Sequence, residues 1–363
     1  MTMRPEPAWA HGRAARTAVL LVNLGTPEAP TAPALRRYLR EFLSDPRVVE
    51  IPKLVWWPIL HGIILRTRPA KSAAKYASVW LPEGSPLLVW SEKQANLLGG
   101  YLGERGHRVI VRTAMRYGEP SIARVMDELR AQDVTRVLIL PLYPQYAGAT
   151  TGSVSDAVLA WACQARRMPD LRFIGEYHDE PAYIQALAQR VTDHWQTHGR
   201  GERLVLSFHG IPHRSLLLGD PYHCQCQKTA RLLGERLNLG EDQLVVTFQS
   251  RFGKAKWLEP YTEPTLRALA AQGVQRVDVM CPGFTADCLE TLEEIAQEAR
   301  EAFLHAGGKQ FEYIPCLNDR PDWIRALADL AERHLQGWDT RAAADPQALA
   351  QQRQRALALG AAE

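Results

Sequence analysis

Residues 18–25 read AVLLVNLG and residues 204–210 read LVLSFHG, and each run is followed by one residue and then Pro27 or Pro212. Three further strand-like runs recur in the same order. Residues 108–118, ending MRYG, match 243–253, ending QSRFG; TRVLILPLYP from Thr135 matches QRVDVMCPGF from Gln275; RFIGEYHDEP from Arg172 matches FEYIPCLNDRP from Phe311. The last pair leads each time into a helical pattern, at 183–195 and 323–335. Four coincidences in order predict two copies of one unit. Between the runs the apolar period lengthens: Leu35, Tyr38, Leu39, Phe42 and Leu43 follow Pro33, a Ser91/Gln94 capping box precedes Leu97, Leu98, Tyr101 and Leu102, and Ser121 precedes Ile122, Val125, Met126 and Leu129. Short, continuous Val/Ile/Leu strands alternating with helices are parallel strands covered on both faces. The expected fold is therefore α/β, with two similar doubly wound lobes, each a four-stranded parallel sheet flanked by helices. Ligands of such sheets sit beyond the carboxyl ends of the strands, so the site is expected in the cleft between the lobes.

A length of 363 residues suits two such domains. We place an N-terminal tail at 1–16, a first lobe at 17–180 with an insertion at about 45–90, and a second lobe at 181–320 carrying the metal-site residues. A C-terminal helix at 321–337 packs back on the first lobe, and a tail follows at 338–363. The insertion is inferred from spacing, since about 83 residues separate the first two strands of one copy and about 33 those of the other. It contains an apolar block, Leu54 to Leu65, with Trp56 and Trp57, followed by Arg66, Arg68, Lys71 and Lys75. This reads as a lip that meets lipid headgroups or admits a flat hydrophobic ligand; a core helix with a solvated basic end is the other reading. A net charge of +3 is too small for a phosphate-backbone partner, so no nucleic acid is expected. Six cysteines without a disulfide framework fit a reducing cytoplasm. Asn23 breaks the apolar run behind Arg13 and Arg16, which reads as a first strand and not a signal peptide.

Two segments carry residues suited to chemistry. His209, at a strand end before Gly210 and Pro212, projects an imidazole that acts as a base or metal ligand; the equivalent position in the first copy is Leu24, so an asymmetric ligand is expected. CPGFTADCLETLEE, from Cys281, runs from a strand end into a helix. On helical geometry Asp287, Glu290, Glu294 and Glu298 share one face, with Leu289, Leu292, Ala296, Ala299 and Phe303 opposite. Glu290 lies in the first turn, where it could face His209. One imidazole and one carboxylate suit a transient divalent-metal site. Cys224 and Cys226 have no second pair at a zinc-like spacing, and no phosphate-cradling glycine loop is present.

Together these phrases resemble the ferrochelatase family, enzymes that insert ferrous iron into a porphyrin. The matching segments are LLVNLGTP, YLREFLSDPRV, AMRYGEPSI, LPLYPQYAGATTGS, LSFHGIP, GDPYHCQC, TFQSRFGKAKWLEP and CPGFTADCLETLEE, spread over about residues 18–335. The resemblance implies the two-lobed chelatase fold and an enzyme of the lyase class with Fe²⁺ and a porphyrin as substrates. His209 and Glu290 would bind the metal and handle the pyrrole protons, and Asp287 would join them. Arg116, Tyr117, Tyr146, Thr150 and Trp257, with Leu24, would line the porphyrin pocket. Cys288 stands where animal enzymes have His, which puts a proton relay there in doubt. No permanently bound cofactor is expected, and no iron–sulfur cluster, because YAGATTG and the tail lack the cysteines that hold one in animal relatives. Protoporphyrin IX is the expected substrate, with coproporphyrin III as the alternative. A two-histidine sirohydrochlorin chelatase and a nonenzymatic tetrapyrrole carrier are the rivals. The expected state is a cytoplasmic monomer with a weak peripheral membrane contact.

Overall fold

One strand buried on both faces organises the molecule. In a computed structural model that describes residues 3–8, 10–253 and 255–362, β1 (Arg16–Gly25) sends Ala18, Leu20 and Val22 into a core under the helices Ile122–Arg130 and Ser153–Ala162. Val19 and Leu21 enter a second core on the opposite face. Positions 1, 2, 9, 254 and 363, which fall in the expected tails and in the QSRFGKAKW segment, lie outside the described residues. β2 (Val109–Tyr117), β3 (Val134–Pro141) and β4 (Asp170–Phe173) complete a parallel sheet in the order β2-β1-β3-β4.

The second copy repeats this order. β5 (Arg203–His209), β6 (Leu244–Gln249), β7 (Arg276–Met280) and β8 (Gln310–Ile314) form a parallel sheet β6-β5-β7-β8. Val205 packs outward with Phe303, while Leu206 and Phe208 enter the same central core as Val19 and Leu21. The two sheets thus share one apolar layer, to which each fully buried aliphatic chain contributes roughly 1.5–3 kcal/mol. The helices Pro86–Glu104, Pro181–His198, Tyr222–Arg236 and Pro321–Leu335 supply that layer. Pro321–Leu335 lies against the first two of these, and Arg172 Nη1 donates to the carbonyls of His334 and Gln336, each at 2.7 Å. Beyond it, helix Pro346–Ala358 is capped by Asp345 and buries no residue.

Ser91 and Gln94 are not a capping box. Their helix begins earlier, with Pro86 in its first turn behind Ser85, and both lie fully buried inside it. Ser91 Oγ donates to the Leu87 carbonyl at 2.7 Å, and Gln94 Nε2 crosses to the second lobe, donating to the carbonyls of Thr285 and Asn318 at 2.9 and 2.8 Å. A buried polar side chain takes whatever partner the packing offers, which a local motif cannot reveal.

The insertion forms helix Lys53–Ile59, a π-helical turn Leu60–Ile64 and helix Leu65–Val79. Its two tryptophans face opposite ways. Trp56 is 6% exposed, donates Nε1–H to the Leu43 carbonyl at 2.6 Å and meets Phe252 of the second lobe edge-on, whereas Trp57 is 55% and Leu54 92% exposed. The block is part core and part exposed surface. Trp56→Ala should therefore destabilise the protein by roughly 3–5 kcal/mol, as for a buried aromatic, and Trp57→Ala by less than about 1 kcal/mol. Denaturant unfolding of the two variants measures this, and equal losses would contradict the division.

Candidate active site

A cavity of about 330 Å³ opens between the lobes at the carboxyl ends of β1 and β5. β5 pairs with β6 up to His209 opposite Gln249, and the chain then turns at Gly210. A Cβ there would lie 2.9 Å from the Gln249 carbonyl oxygen and 3.1 Å from that of Ser250, so only glycine permits the turn. His209 Nδ1 lies 2.6 Å from the Gly210 carbonyl oxygen. Because that oxygen can only accept, Nδ1 is the donor, and in the neutral ring Nε2 keeps its lone pair. The first copy makes the same turn by another constraint: Gly25 has φ +122°, and a Cβ on it would stand 1.8 Å from the Tyr117 carbonyl oxygen. Leu24, immediately before, lines the cavity across from His209's lobe.

Glu290 also lines the cavity and opens a π-helical stretch, Glu290–Ala299. The Glu290 carbonyl accepts from Gln249 Nε2 at 2.8 Å, which ties this helix to the strand beside His209. With i→i+5 bonding, residues five apart share a face. Glu293 and Glu298 accordingly both meet Lys75 Nζ of the insertion, at 2.8 and 2.7 Å. Glu294 turns instead to Ser250, accepting from its N–H at 2.7 Å and from its hydroxyl. The single acidic row expected from ordinary helical geometry is split; the buried residues of the stretch are Thr291, Glu293, Ile295 and Ala299, so of the expected apolar stripe Ala299 and, beyond it, Phe303 are buried while Leu289, Leu292 and Ala296 are half-buried.

Of the expected site residues, the structure brings Leu24, Thr150, His209, Trp257 and Glu290 to the cavity. Four others lie outside its lining. Arg116 Nη2 donates to Asp45 Oδ2 at 2.6 Å and its Nε to Ser153 Oγ at 2.6 Å, and the Tyr117 hydroxyl donates to the same Asp45 oxygen at 2.8 Å. Tyr146 donates its N–H to Gln225 Oε1 at 2.6 Å, and its hydroxyl lies beside Gly152. Asp287 is buried, accepting from Asn318 Nδ2 at 2.6 Å and from the Tyr313 hydroxyl at 2.5 Å. Tyr117 and Asp287 are buried and Arg116 and Tyr146 half-buried, each held by the contacts just named.

Sequence reading missed several wall residues. Arg68 and Arg251 are the cations of the lining among the described residues, and the Arg68 guanidinium stacks over Phe252 at 4.5 Å. Phe42, Leu43, Leu87, Phe284 and Cys288 make the wall apolar, and burial pushes the Cys288 thiol well above its usual pKa. Arg68 was legible as part of the basic flank. Asp45, hidden before Pro46, carried no signal, because its partners are 71 and 108 residues away.

A model of the ferrochelatase family matches residues 16–335. The chain is similar to the ferrochelatase of Methylibium petroleiphilum, at 71% identity over 99% of both chains, and to that of a Polaromonas species, at 65% over 99% of this chain and all of the relative. Among solved structures it is similar in fold to SirB from Bacillus subtilis with Fe³⁺, at TM-score 0.52 and 14% identity, covering 88% of this chain and 95% of that one.

Asp45 gives the wall a measurable pH dependence. Burial pushes its carboxyl up, but donation from Ser153, the Arg47 N–H and Tyr117, with the Arg116 charge, outweighs this and holds it below the usual aspartate range. A depressed folded pKa stabilises the protein above the unfolded value of about 4, and that contribution is lost as pH falls through the folded value. Thermal melts should therefore show wild type losing stability more steeply than Asp45→Asn below about pH 4, with the variant several degrees less stable at neutral pH. Parallel curves would remove Asp45 from this role.

Proposed function

The chain belongs to the ferrochelatase family, and on that premise we propose that it inserts Fe²⁺ into protoporphyrin IX, with His209 and Glu290 as the reacting pair. One observation carries this reading: an apolar inter-lobe cavity in which an imidazole with a free Nε2 and a carboxylate are its acid–base groups, with Arg68 and Arg251 as its cations. A free porphyrin carries two pyrrole N–H protons and admits metal slowly while planar. A wall that holds the ring bent exposes the nitrogen lone pairs and stabilises the distorted transition state. His209 Nε2 accepts one pyrrole proton as the cation enters, Glu290 offers the cation a carboxylate and takes the second proton, and two protons leave as two Fe–N bonds replace two N–H bonds. Two ligands hold the hydrated ion weakly enough to release it to the ring. Resident cofactors have no part in this reading. The exposed thiol of Cys224 and the buried thiol of Cys226 lie on different faces of one helix, an arrangement unlike a cluster cradle.

The choice of protoporphyrin rests on the distribution of charge. Arg68 and Arg251 flank Phe252, where two ring carboxylates would be paired, while Leu24, Leu87, Phe42 and Phe284 suit an edge without carboxylates. A ring with carboxylates on all four pyrroles would bury unpaired charge there. The anaerobic comparison of kcat/KM for protoporphyrin IX and coproporphyrin III tests this, with protoporphyrin expected to be favoured at least tenfold. Preference for coproporphyrin would reverse the assignment. His209→Ala should lose at least about 10²-fold in kcat while still binding porphyrin, and Glu290→Gln should lose turnover with little change in Tm. Binding of porphyrin by wild type without accelerated metalation would identify a carrier.

No helix among the described residues is long and apolar enough to cross a membrane. A peripheral contact is supported by apolar side chains exposed on both rims: Leu54, Trp57 and Ile63 from the insertion, and Leu217 and Leu218, 73% and 65% exposed, from the second lobe. Glu50 and Arg214 join these rims at 3.2 Å, and Arg66 and Lys71 are exposed beside them. Co-sedimentation with anionic liposomes should fall at least fivefold for Leu217→Ser with Leu218→Ser; undiminished binding would remove the second lobe from the contact.

A further inference from the structure

Gln94 and Asn318 lie outside the cavity lining, yet they connect its two walls through a continuous set of hydrogen bonds. Gln94, on a first-lobe helix, is fully buried and donates both amide hydrogens to the second lobe, to the carbonyls of Thr285 and Asn318. Asn318 has φ +46°, a left-handed conformation that asparagine tolerates better than most residues. Its N–H donates to the Thr285 carbonyl at 3.0 Å, which closes a small loop around the Gln94 amide. From that fixed backbone its side chain makes a two-point contact with Asp287: Nδ2 donates to Asp287 Oδ2 at 2.6 Å, and Oδ1 accepts from the Asp287 N–H at 2.9 Å. The other Asp287 oxygen accepts from Thr291 Oγ1 at 3.1 Å, one residue beyond Glu290.

We infer that Asn318, anchored by Gln94, is a positioning residue for Glu290: it fixes, through Asp287 and Thr291, where the Glu290 carboxylate stands relative to the first-lobe wall. This rests on the reading of Glu290 as a reacting group. Asp287 is then also a positioning residue, which accounts for its burial away from the cavity. A mere packing role does not explain the arrangement, because Gln94 spends both amide hydrogens, and Asn318 its amide oxygen and an amide N–H, on one path between the walls, ending on an Asp287 carboxylate that Tyr313 and the Cys316 N–H also hold. Without that path the π-helical stretch remains attached by Gln249 and Lys75, which hold its other faces.

The experiment uses the full chain, anaerobic Fe²⁺ and protoporphyrin IX. Asn318→Gly keeps the backbone conformation and removes both side-chain bonds; kcat should fall at least tenfold while porphyrin KM stays within twofold, because the porphyrin walls are untouched. Asn318→Asp sets a second carboxyl against Asp287. The other titratable groups around Asp287, namely Tyr313, Cys281, Cys288 and Cys316, are kept protonated by burial. The carboxyl pair should then share one proton at low pH and restore the contact, so the variant-to-wild-type ratio of kcat should rise as pH falls from about 8 to 6. A folded Asn318→Gly with wild-type kcat, or an Asn318→Asp ratio independent of pH, would overturn the inference. If Asn318→Gly does not fold, the same kcat and KM split is read from Gln94→Met together with the Asn318→Asp ratio. Glu290→Gln run alongside separates the two readings: if it retains turnover, the role of Glu290 fails first, whereas if it is inactive and the Asn318 variants are not, only the positioning role fails.

Discussion

The apolar layer shared by the two sheets sets the remaining geometry. Val19 and Leu21 of one central strand and Leu206 and Phe208 of the other bury into a single core. Neither sheet can then rotate or slide without exposing several fully buried side chains, at a cost of roughly 25 cal/mol for each Å² uncovered. Parallel strands bring all carboxyl ends of a sheet to one edge. Two such sheets on one layer therefore place Leu24 and His209 at a common cleft, and a ligand that fills it touches both lobes.

That frame is stiff, but the groups in the cleft hang on polar pins of a different kind. Asp45 gathers Arg116, Tyr117 and Ser153, and Lys75 gathers Glu293 and Glu298. These contacts join segments far apart in the chain, from the insertion to a helix or from the end of a helix to a strand and a second helix. Their net contribution to stability is modest, since a typical hydrogen bond adds only about 1 kcal/mol. Their effect is on direction. A metal that must be taken and released cannot be held by a closed set of ligands, so placement has to come from the scaffold around two groups and not from the metal itself.

What was legible in the sequence follows the same division. Duplication and the cleft could be read because the strands are short continuous apolar runs, buried on both faces, that recur in the same order in the two halves. His209 and Glu290 could be read because a strand end or a helix start exposes them. The π-helical stretch could not, since one inserted residue per turn leaves the composition unchanged while it moves Glu294 to Ser250 and Glu293 to Lys75. Ser91 and Gln94 matched a capping pattern at the correct spacing, but their true partners are a carbonyl one turn back and two carbonyls in the other lobe. The family resemblance implied a pocket role for Arg116 and Tyr117; both bind Asp45 and lie outside the cavity lining. These residues are polar, and except for Ser91 their partners are distant in sequence.

Duplication followed by divergence accounts for the asymmetry of the site. Both halves end their first strand in a tight glycine turn, yet one turn presents Leu24 and the other His209, and the constraint on each glycine differs: Tyr117 crowds Gly25, whereas Gln249 and Ser250 crowd Gly210. The half that kept an apolar residue also acquired the insertion, with Trp56 reaching across to Phe252. The half that carries the imidazole also carries Glu290. A flat, largely apolar ring and a hydrated cation make opposite demands on their surroundings, since one gains by losing water and the other pays heavily for it. Two lobes built on one plan suit both demands at a single cleft: both contribute apolar wall and rim, the second lobe alone contributes His209 and Glu290, the pair proposed to react, and the shared core keeps the two walls at a fixed separation.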